Sequence, residues 1–410
     1  MTVKPFRIFI ITGKILFFVV GILITAELLL PFRFINIQPL TPQGYVDFIE
    51  LAKRGASLRG EPYDTRALYQ VIADARAKGF RAYPAASPAY FLSDKGSTVL
   101  IDGEPVLPLG ITAHANNYYC NETGQYANFS TDRFGFRNEN AIWNHQMDIV
   151  AIGDSYTMGS CLDDDKSIVG NLRLSGKKVL NLGMGGNGPL IDLASFVEYG
   201  KSLKPKVILW NFFANDMDDL ERDYRNPILK SYLKEGYSQH LIKRAALINP
   251  AVDKVIEQHW ENVENAGKAY QNINPKSIFE FPNLSNAYRL FRIWITAGKA
   301  EPPKPDLHLM IDVIKRADDL AISIGAKLYF VYIPDCISDS YGQNIWKEDL
   351  LKSVLSLGIP VIDTELGIKD LNKTGESGYH YCPGSHFNAA GARSAAQQIL
   401  KFLRNSDYRE

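Results

Sequence analysis

Apolar residues along this chain fall into three regimes. The first is a single block at the N-terminus. Ile15 to Phe32 reads ILFFVVGILITAELLLPF, and its only charge is Glu27 near the far end. Extending back through Lys14 to Ile8 gives 25 residues. About 20 apolar residues in a helix cross the hydrocarbon core of a bilayer, so this block is predicted to be a transmembrane helix, with Lys14 snorkelling at the inner interface. Lys4, Arg7 and Lys14 precede it and only Arg33 follows closely. That asymmetry places residues 1–32 as a cytoplasmic tail and membrane span, with the rest of the chain outside. A cleaved signal peptide needs small residues at its cleavage site. Pro31-Phe32-Arg33 follows Leu30 instead, so an uncleaved signal anchor is expected.

The second regime, residues 33–146, is mixed. Thr65–Lys78 carries Leu68, Val71, Ile72 and Ala75 at helical spacing. Pro84 and Pro88 then break regularity. Thr98–Val106 reads as extended with a turn at Asp102-Gly103, and Asn116–Arg137 is polar and aromatic. The region shows no chemistry of its own and is read as a collar that packs around the C-terminal domain.

The third regime begins at Met147. Short β-rich runs alternate with helical stretches: Met147–Ile152, Val179–Gly183, Val207–Phe213, Lys327–Pro334 and Pro360–Asp363. Nearly continuous apolar strands are buried on both faces, which marks a parallel sheet under helices. Five of them predict an α/β fold, a three-layer α/β/α sandwich, with any site at the carboxyl ends of the strands. Residues 217–305 are too long for one crossover. With helical patches at Pro227–Glu235, Leu241–Asn265 and Leu284–Ile295, they are read as an insertion, either a wall and lid for the site or a structural elaboration.

Composition narrows the classes. Apolar residues make up 46% and charged residues 22%, and 45 basic residues balance 45 acidic ones. Such a chain is globular rather than disordered and has no net field to gather nucleic acid. The histidines His114, His145, His240, His259, His308 and His380 show no metal-ligand spacing, so neither a metal nor another cofactor is expected. No two of Cys120, Cys161, Cys336 and Cys382 form a C-x-x-C pair. In an exported chain an even count makes disulfides reasonable.

Chemistry enters at the predicted strand ends. Gly153-Asp154-Ser155 follows the first strand, where a serine would sit at the turn into a helix, close to a terminus that favours negative charge. Asn181-Leu182-Gly183-Met184-Gly185-Gly186 follows the second, and its glycines free backbone N–H groups. Asn215-Asp216 ends the third. His386-Phe387-Asn388-Ala389-Ala390-Gly391 precedes a last helix running to about Leu403.

The order GDS, N-x-G-x-x-G, N-D and H-x-N-x-x-G resembles the SGNH (GDSL-type) hydrolases, over roughly Met147 to Asn405. The resemblance implies a flavodoxin-like sandwich. It implies Ser155 as nucleophile and His386 as general base. The Ser155 and Gly186 N–H groups and the Asn215 side chain would form the oxyanion hole. A hydroxyl becomes nucleophilic when imidazole takes its proton, and the resulting oxyanion needs preorganised donors.

Two departures stand out. The family usually has Asp three residues before the histidine, and here Pro383 occupies that place. Asp335 and Asp363, each after a strand, are the candidate substitutes; the alternative is a Ser–His dyad held by a backbone carbonyl. Phe213 stands where the family usually has Gly, and is expected to narrow the site. Disulfides Cys120–Cys161 and Cys336–Cys382 are expected, the first tying the collar to the nucleophile turn and the second bracing the His386 loop.

The collar stretch from Tyr118-Tyr119-Cys120-Asn121-Glu122 to Phe134-Gly135-Phe136 is similar to that of membrane-anchored bacterial SGNH proteins of the envelope. The implied function is an extracytoplasmic, periplasmic esterase removing O-acyl (acetyl) groups from a glycan or similar ester. The alternatives are an O-acyltransferase using the same acyl-enzyme, or a degenerate glycan-binding protein.

Overall fold

The computed structural model describes residues 53, 56–57, 60–272, 306–336, 343–381 and 385–407. The predicted membrane span, the Leu284–Ile295 patch, Cys382 and Pro383 lie outside these. Among the described residues no helix is long and apolar enough to cross a membrane.

In the collar, α1 (Leu68–Ala77) buries Val71, Ile72 and Ala75 of the predicted face together with Tyr69, while Leu68 is half-buried. β1 (Ala82–Pro84) pairs in parallel with β2 (Asn116–Tyr118), which pairs antiparallel with β3 (Asn128–Ser130). Within predicted Thr98–Val106, Leu100–Ile101 folds back on Glu104–Pro105. Asp102 (φ 57°) and Gly103 (φ 84°) make the turn, the two left-handed residues that a tight hairpin demands.

The remaining elements alternate between strands and helices. They are β4 (Ile149–Gly153), α2 (Ser155–Met158), α3 (Ile168–Leu174), β5 (Val179–Asn181), α4 (Pro189–Ser195), β6 (Val207–Phe213), α5 (Asp216–Arg225), α6 (Pro227–Ser231) and α7 (Leu241–Asn272). After these come α8 (Leu307–Ser323), β7 (Lys327–Ile333), α9 (Gln343–Ser356), β8 (Val361–Asp363), α10 (Glu365–Lys373) and α11 (Ala389–Asp407). All five predicted strands form, and all pair in parallel in the order β5-β4-β6-β7-β8. The direction of winding reverses between β4 and β6. In open sheets of this kind the crevice at that reversal is where ligands bind.

Alternation along each strand explains the layers. Val150, Ile152, Ile208, Trp210, Phe212 and Phe330 pack on one face with α4 and α8. Ile149, Ala151, Leu209, Tyr329 and Val331 pack on the other with α3 and α11. The collar is continuous with the first layer: Phe91, Leu107, Ile111, Phe129 and Phe136 share its core. Most of the collar's buried apolar residues thus belong to the core of the sheet domain.

The described part of the insertion supports the collar. In α7, Ile248, Val252 and Ile256 join the main core, and Trp260 packs with Tyr69 and Ile72 of α1. Arg76 pairs with Glu257, and Arg81 with Asp253. This half of the insertion reads as a structural elaboration.

Candidate active site

The nucleophile turn is built by Gly153. Its φ of +143° and the space around it exclude a side chain: a Cβ there would stand 2.3 Å from Thr157 Oγ1 and 2.4 Å from the Asn211 carbonyl oxygen. The chain thus leaves β4 sharply, and Asp154 Oδ1 accepts from the Tyr156 N–H at 3.0 Å, capping α2. Ser155, the first residue of α2, stands at the sheet's carboxyl edge.

Each motif residue has a structural job. Asn181 Oδ1 accepts from the Gly183 N–H at 2.9 Å, and its Nδ2 donates to the Thr157 carbonyl at 3.0 Å, bracing the second block against the first. Asn388 Oδ1 accepts from the N–H groups of Ala390 and Gly391, both at 3.0 Å, which caps α11. Gly391 then passes so close to the Gly378 carbonyl that a Cβ would stand 2.1 Å from it. These contacts hold His386 over Ser155.

His386 Nε2 lies 2.9 Å from Ser155 Oγ. Its Nδ1 lies 2.8 Å from Glu122 Oε1, and its backbone N–H donates to Glu122 Oε2 at 2.9 Å. Both ring nitrogens are therefore occupied, one by the serine and one by a carboxylate. A carboxylate can only accept, so it holds the proton on Nδ1 and leaves the Nε2 lone pair facing the hydroxyl. Burial pulls the pKa of His386 down, but the charge and hydrogen bond of Glu122, then the charge of Asp154, outweigh it and leave the pKa raised.

This corrects the expectation for the orienting acid. Neither Asp335 nor Asp363 holds the imidazole. Asp335 Oδ1 accepts from the Cys336 N–H at 2.6 Å. Asp363 pairs with Lys347 at 2.9 Å and accepts from the Glu365 N–H. The acid is Glu122, fully buried and 264 residues away in sequence. It comes from the collar, which therefore does contribute chemistry. Three ties hold the collar there. The expected disulfide Cys120–Cys161 is present. Arg137 donates to the Gly159 carbonyl at 2.6 Å and to the Leu162 carbonyl at 2.7 Å. Glu122 is itself the third.

Cys336 is also disulfide-bonded, and its expected partner Cys382 lies outside the described residues. Phe213 does not stand free in the site: its ring centroid is 4.6 Å from that of Tyr156. Tyr156 in turn lies 5.3 Å from the His386 ring, so Phe213 backs the wall behind the histidine. Among the described residues, one trio of potential metal ligands lies close together, Cys120, Glu122 and Cys161. Two are joined to each other and the third holds His386, which leaves that trio no open ligand set.

Of the expected oxyanion donors, the glycine turn is placed beside the serine. A Cβ at Gly185 would lie 3.9 Å from Ser155 Cβ, so the Gly185-Gly186 turn lies directly beside the nucleophile. Asn215 follows β6, whose Asn211 is in register with Gly153, and its Oδ1 is buried with no hydrogen-bond partner among the described residues. Asp154, buried beside Ser155, has its pKa pushed up from 3.8 to about 6, chiefly by desolvation.

A five-stranded parallel sheet wound about a switch point carries the four blocks at its carboxyl edge, and they bring together a hydrogen-bonded Ser–His–carboxylate row of the kind that nucleophilic catalysis uses. No protein-family model matches the chain, and no curated protein matches it. Among solved structures, it is similar to a lipolytic protein of the G-D-S-L family from Veillonella parvula, at 14% identity and a TM-score of 0.34 over 62% of this chain and 96% of that one. It is also similar to an esterase from Pseudoalteromonas, at 10% identity and a TM-score of 0.33 over 63% and 96%. An acetylxylan esterase from Geobacillus stearothermophilus matches at 12% identity and a TM-score of 0.30 over 62% and 93%.

Proposed function

We propose that this protein is a membrane-anchored, extracytoplasmic serine esterase that removes O-acyl groups, acetyl above all, from a glycan through a Ser155 acyl-enzyme. The observation that carries the reading is the unbroken row Ser155 Oγ–His386 Nε2, His386 Nδ1–Glu122 Oε1 at 2.9 and 2.8 Å. His386 takes the Ser155 proton as Oγ attacks the acyl carbon. Glu122 stabilises the imidazolium that forms. The Ser155 and Gly186 N–H groups and the Asn215 amide receive the oxyanion. His386 then returns the proton to the departing alcohol, and water repeats the cycle on the acyl-enzyme.

The buried acid answers the one sequence argument for a degenerate protein, which was Pro383 in the usual acid's place. The basic flank of the N-terminal apolar block supports export, as does the Cys120–Cys161 disulfide, since such bonds persist in oxidising compartments. The glycan substrate follows from the envelope resemblance of the collar.

The test uses the full chain in detergent, treated with a fluorophosphonate and read by intact mass. Stoichiometric labelling of the wild type, lost in Ser155→Ala and slowed in His386→Ala, is expected. A folded wild type that takes no label overturns the reading. Acetate release from an acetylated oligosaccharide, with and without a deacylated acceptor sugar, then separates the two acyl-enzyme fates. Acyl transfer that outruns hydrolysis would make the protein a transferase.

A further inference from the structure

The Gly186 donor sits in a tight turn, and its direction depends on how that turn is held. The Asn187 N–H donates to the Met184 carbonyl at 3.1 Å, closing a four-residue turn with Gly185 and Gly186 in the middle. Gly186 has φ +75° and Gly185 does not have a positive φ, the combination that defines a type II turn. A type I turn in the same place would rotate the Gly185–Gly186 peptide by roughly 180° and carry the Gly186 N–H to the other face. The catalytic direction of that N–H is thus a choice between two turn geometries.

The next peptide, Gly186–Asn187, is clamped at both ends. Its N–H is held by the Met184 carbonyl. Its carbonyl oxygen accepts from Arg222 Nη2 at 3.0 Å. Arg222 is fixed in turn by two carboxylates of its own helix. Nη1 donates to Asp219 Oδ1 at 2.6 Å, and Nη2 to Asp223 Oδ1 at 2.7 Å. Asp223 is fully buried, and its Oδ2 accepts from the Ile191 N–H beyond the turn at 3.2 Å. A Cβ at Gly188 would lie 2.5 Å from that same oxygen, so the turn rests directly on Asp223.

All three side chains lie on α5, which begins immediately after Asn215. One helix of ten residues therefore presents one oxyanion donor at its start and clamps the turn of the other from its last turns.

We infer that Arg222 is a positioning residue, which fixes the Gly186 turn in its type II form and sets the spacing of the two oxyanion donors, with Asp219 and Asp223 as its anchors. The inference rests on the esterase reading for its catalytic consequence but not for its structural one. Arg222 acts on the backbone of the turn and not on Ser155 or His386, so its loss should act through the geometry of the hole. A misplacement of about 1 Å at a reacting centre costs up to about 100-fold in rate.

The experiment compares full-chain wild type, Arg222→Met, Arg222→Lys and Asp219→Asn. Hydrolysis of p-nitrophenyl acetate is read as kcat and KM, and inhibition by a boronic acid that mimics the tetrahedral adduct is read beside it. Amide exchange of residues 184–188 is followed by mass spectrometry. For Arg222→Met a kcat loss of about 10- to 100-fold is expected, with KM within about twofold. Boronate affinity should fall in proportion to kcat/KM, and the turn should exchange faster. Lys keeps the charge but lacks the planar fork, so Arg222→Lys should recover only part of the loss. Asp219→Asn should show a smaller change of the same kind. Unchanged exchange at the turn, or a KM effect without a kcat effect, overturns the inference. Should Arg222→Met not fold, the other two variants carry the same readouts. An inactive wild type would count against the esterase reading alone, and the exchange comparison would still decide the role of Arg222.

Discussion

Replacing Glu122 by Gln keeps the shape of the side chain and removes its ability to accept at both oxygens. In the wild type both partners are N–H donors: Nδ1–H of the ring at 2.8 Å and the His386 backbone N–H at 2.9 Å. An amide offers one acceptor and one donor, so one contact must fail. If the amide oxygen stays on the backbone N–H, its NH₂ faces Nδ1 and favours the tautomer with the proton on Nε2. That proton then points at Ser155, and the base cannot act. Glu122 is fully buried, so no water can replace the lost acceptor without rearrangement. The corresponding change in a Ser-His-Asp triad costs about 10⁴ in kcat, or about 5 kcal/mol of transition-state stabilisation. For Glu122→Gln a loss of about 10³- to 10⁴-fold in kcat/KM on p-nitrophenyl acetate is expected.

The pH profile gives a second reading of the same substitution. Burial lowers the pKa of His386, while Glu122 and Asp154 raise it to a net value above the ordinary one. The wild type therefore needs a pH above the ordinary histidine range, about 6.5, to free Nε2. Without the Glu122 charge the burial effect remains, so the acidic limb should move to lower pH as the rate falls. A variant with near-normal kcat/KM and an unmoved acidic limb would refute Glu122 as the orienting acid.

Three further outcomes are expected. Asn215→Ala should lower kcat by about 100- to 1000-fold with little change in KM, and a rise in KM with kcat unchanged would argue against an oxyanion role. The double variant Cys120→Ser/Cys161→Ser should lose about 4 kcal/mol in urea unfolding, as chain entropy gives for a bridge spanning 41 residues; its kcat/KM should also fall, because the segment bearing Glu122 loses its covalent tie. Asp154→Asn should change how stability varies with pH. The carboxyl is raised from 3.8 to about 6, chiefly by burial, so the folded state holds a proton that the unfolded state releases first. Its favourable contribution is complete below about pH 3.8 and is lost as pH rises through about 6. The variant should therefore gain on the wild type between those values, and a gap in urea unfolding that does not change with pH would refute it.

Much of the fold was legible because its signals are local. A parallel strand buried on both faces must be apolar throughout, and Val207–Phe213 and Lys327–Ile333 read that way in any context. The motif blocks were legible for a similar reason. Gly153 is demanded by backbone space, Asn388 by the cap of α11 and Asn181 by the turn at Gly183. Each requirement is met within a few residues of the block itself, so residue type and spacing carry it. The family resemblance of these blocks therefore singled out Ser155 and His386, which meet at 2.9 Å, and the expected Cys120–Cys161 bridge is present.

It failed for the orienting acid. Local context offered an empty place at Pro383 and two acids at strand ends, Asp335 and Asp363. Nothing within reach of His386 along the chain marks Glu122, which stands in a collar segment with no periodicity. A carboxylate acts on an imidazole through a 2.8 Å contact, and which carboxylate makes it is fixed by the packing of the collar on the sheet. The same holds for Arg222, whose side chain reaches the Gly186 carbonyl only because α5 lies against the turn after β5. The sequence by itself determined the parallel sheet, the order of its edge blocks and the serine and histidine that meet at its carboxyl edge. Tertiary structure alone decided which acid orients the base and which cation holds the turn, because those choices depend on side chains meeting across a folded core and leave no pattern along the chain.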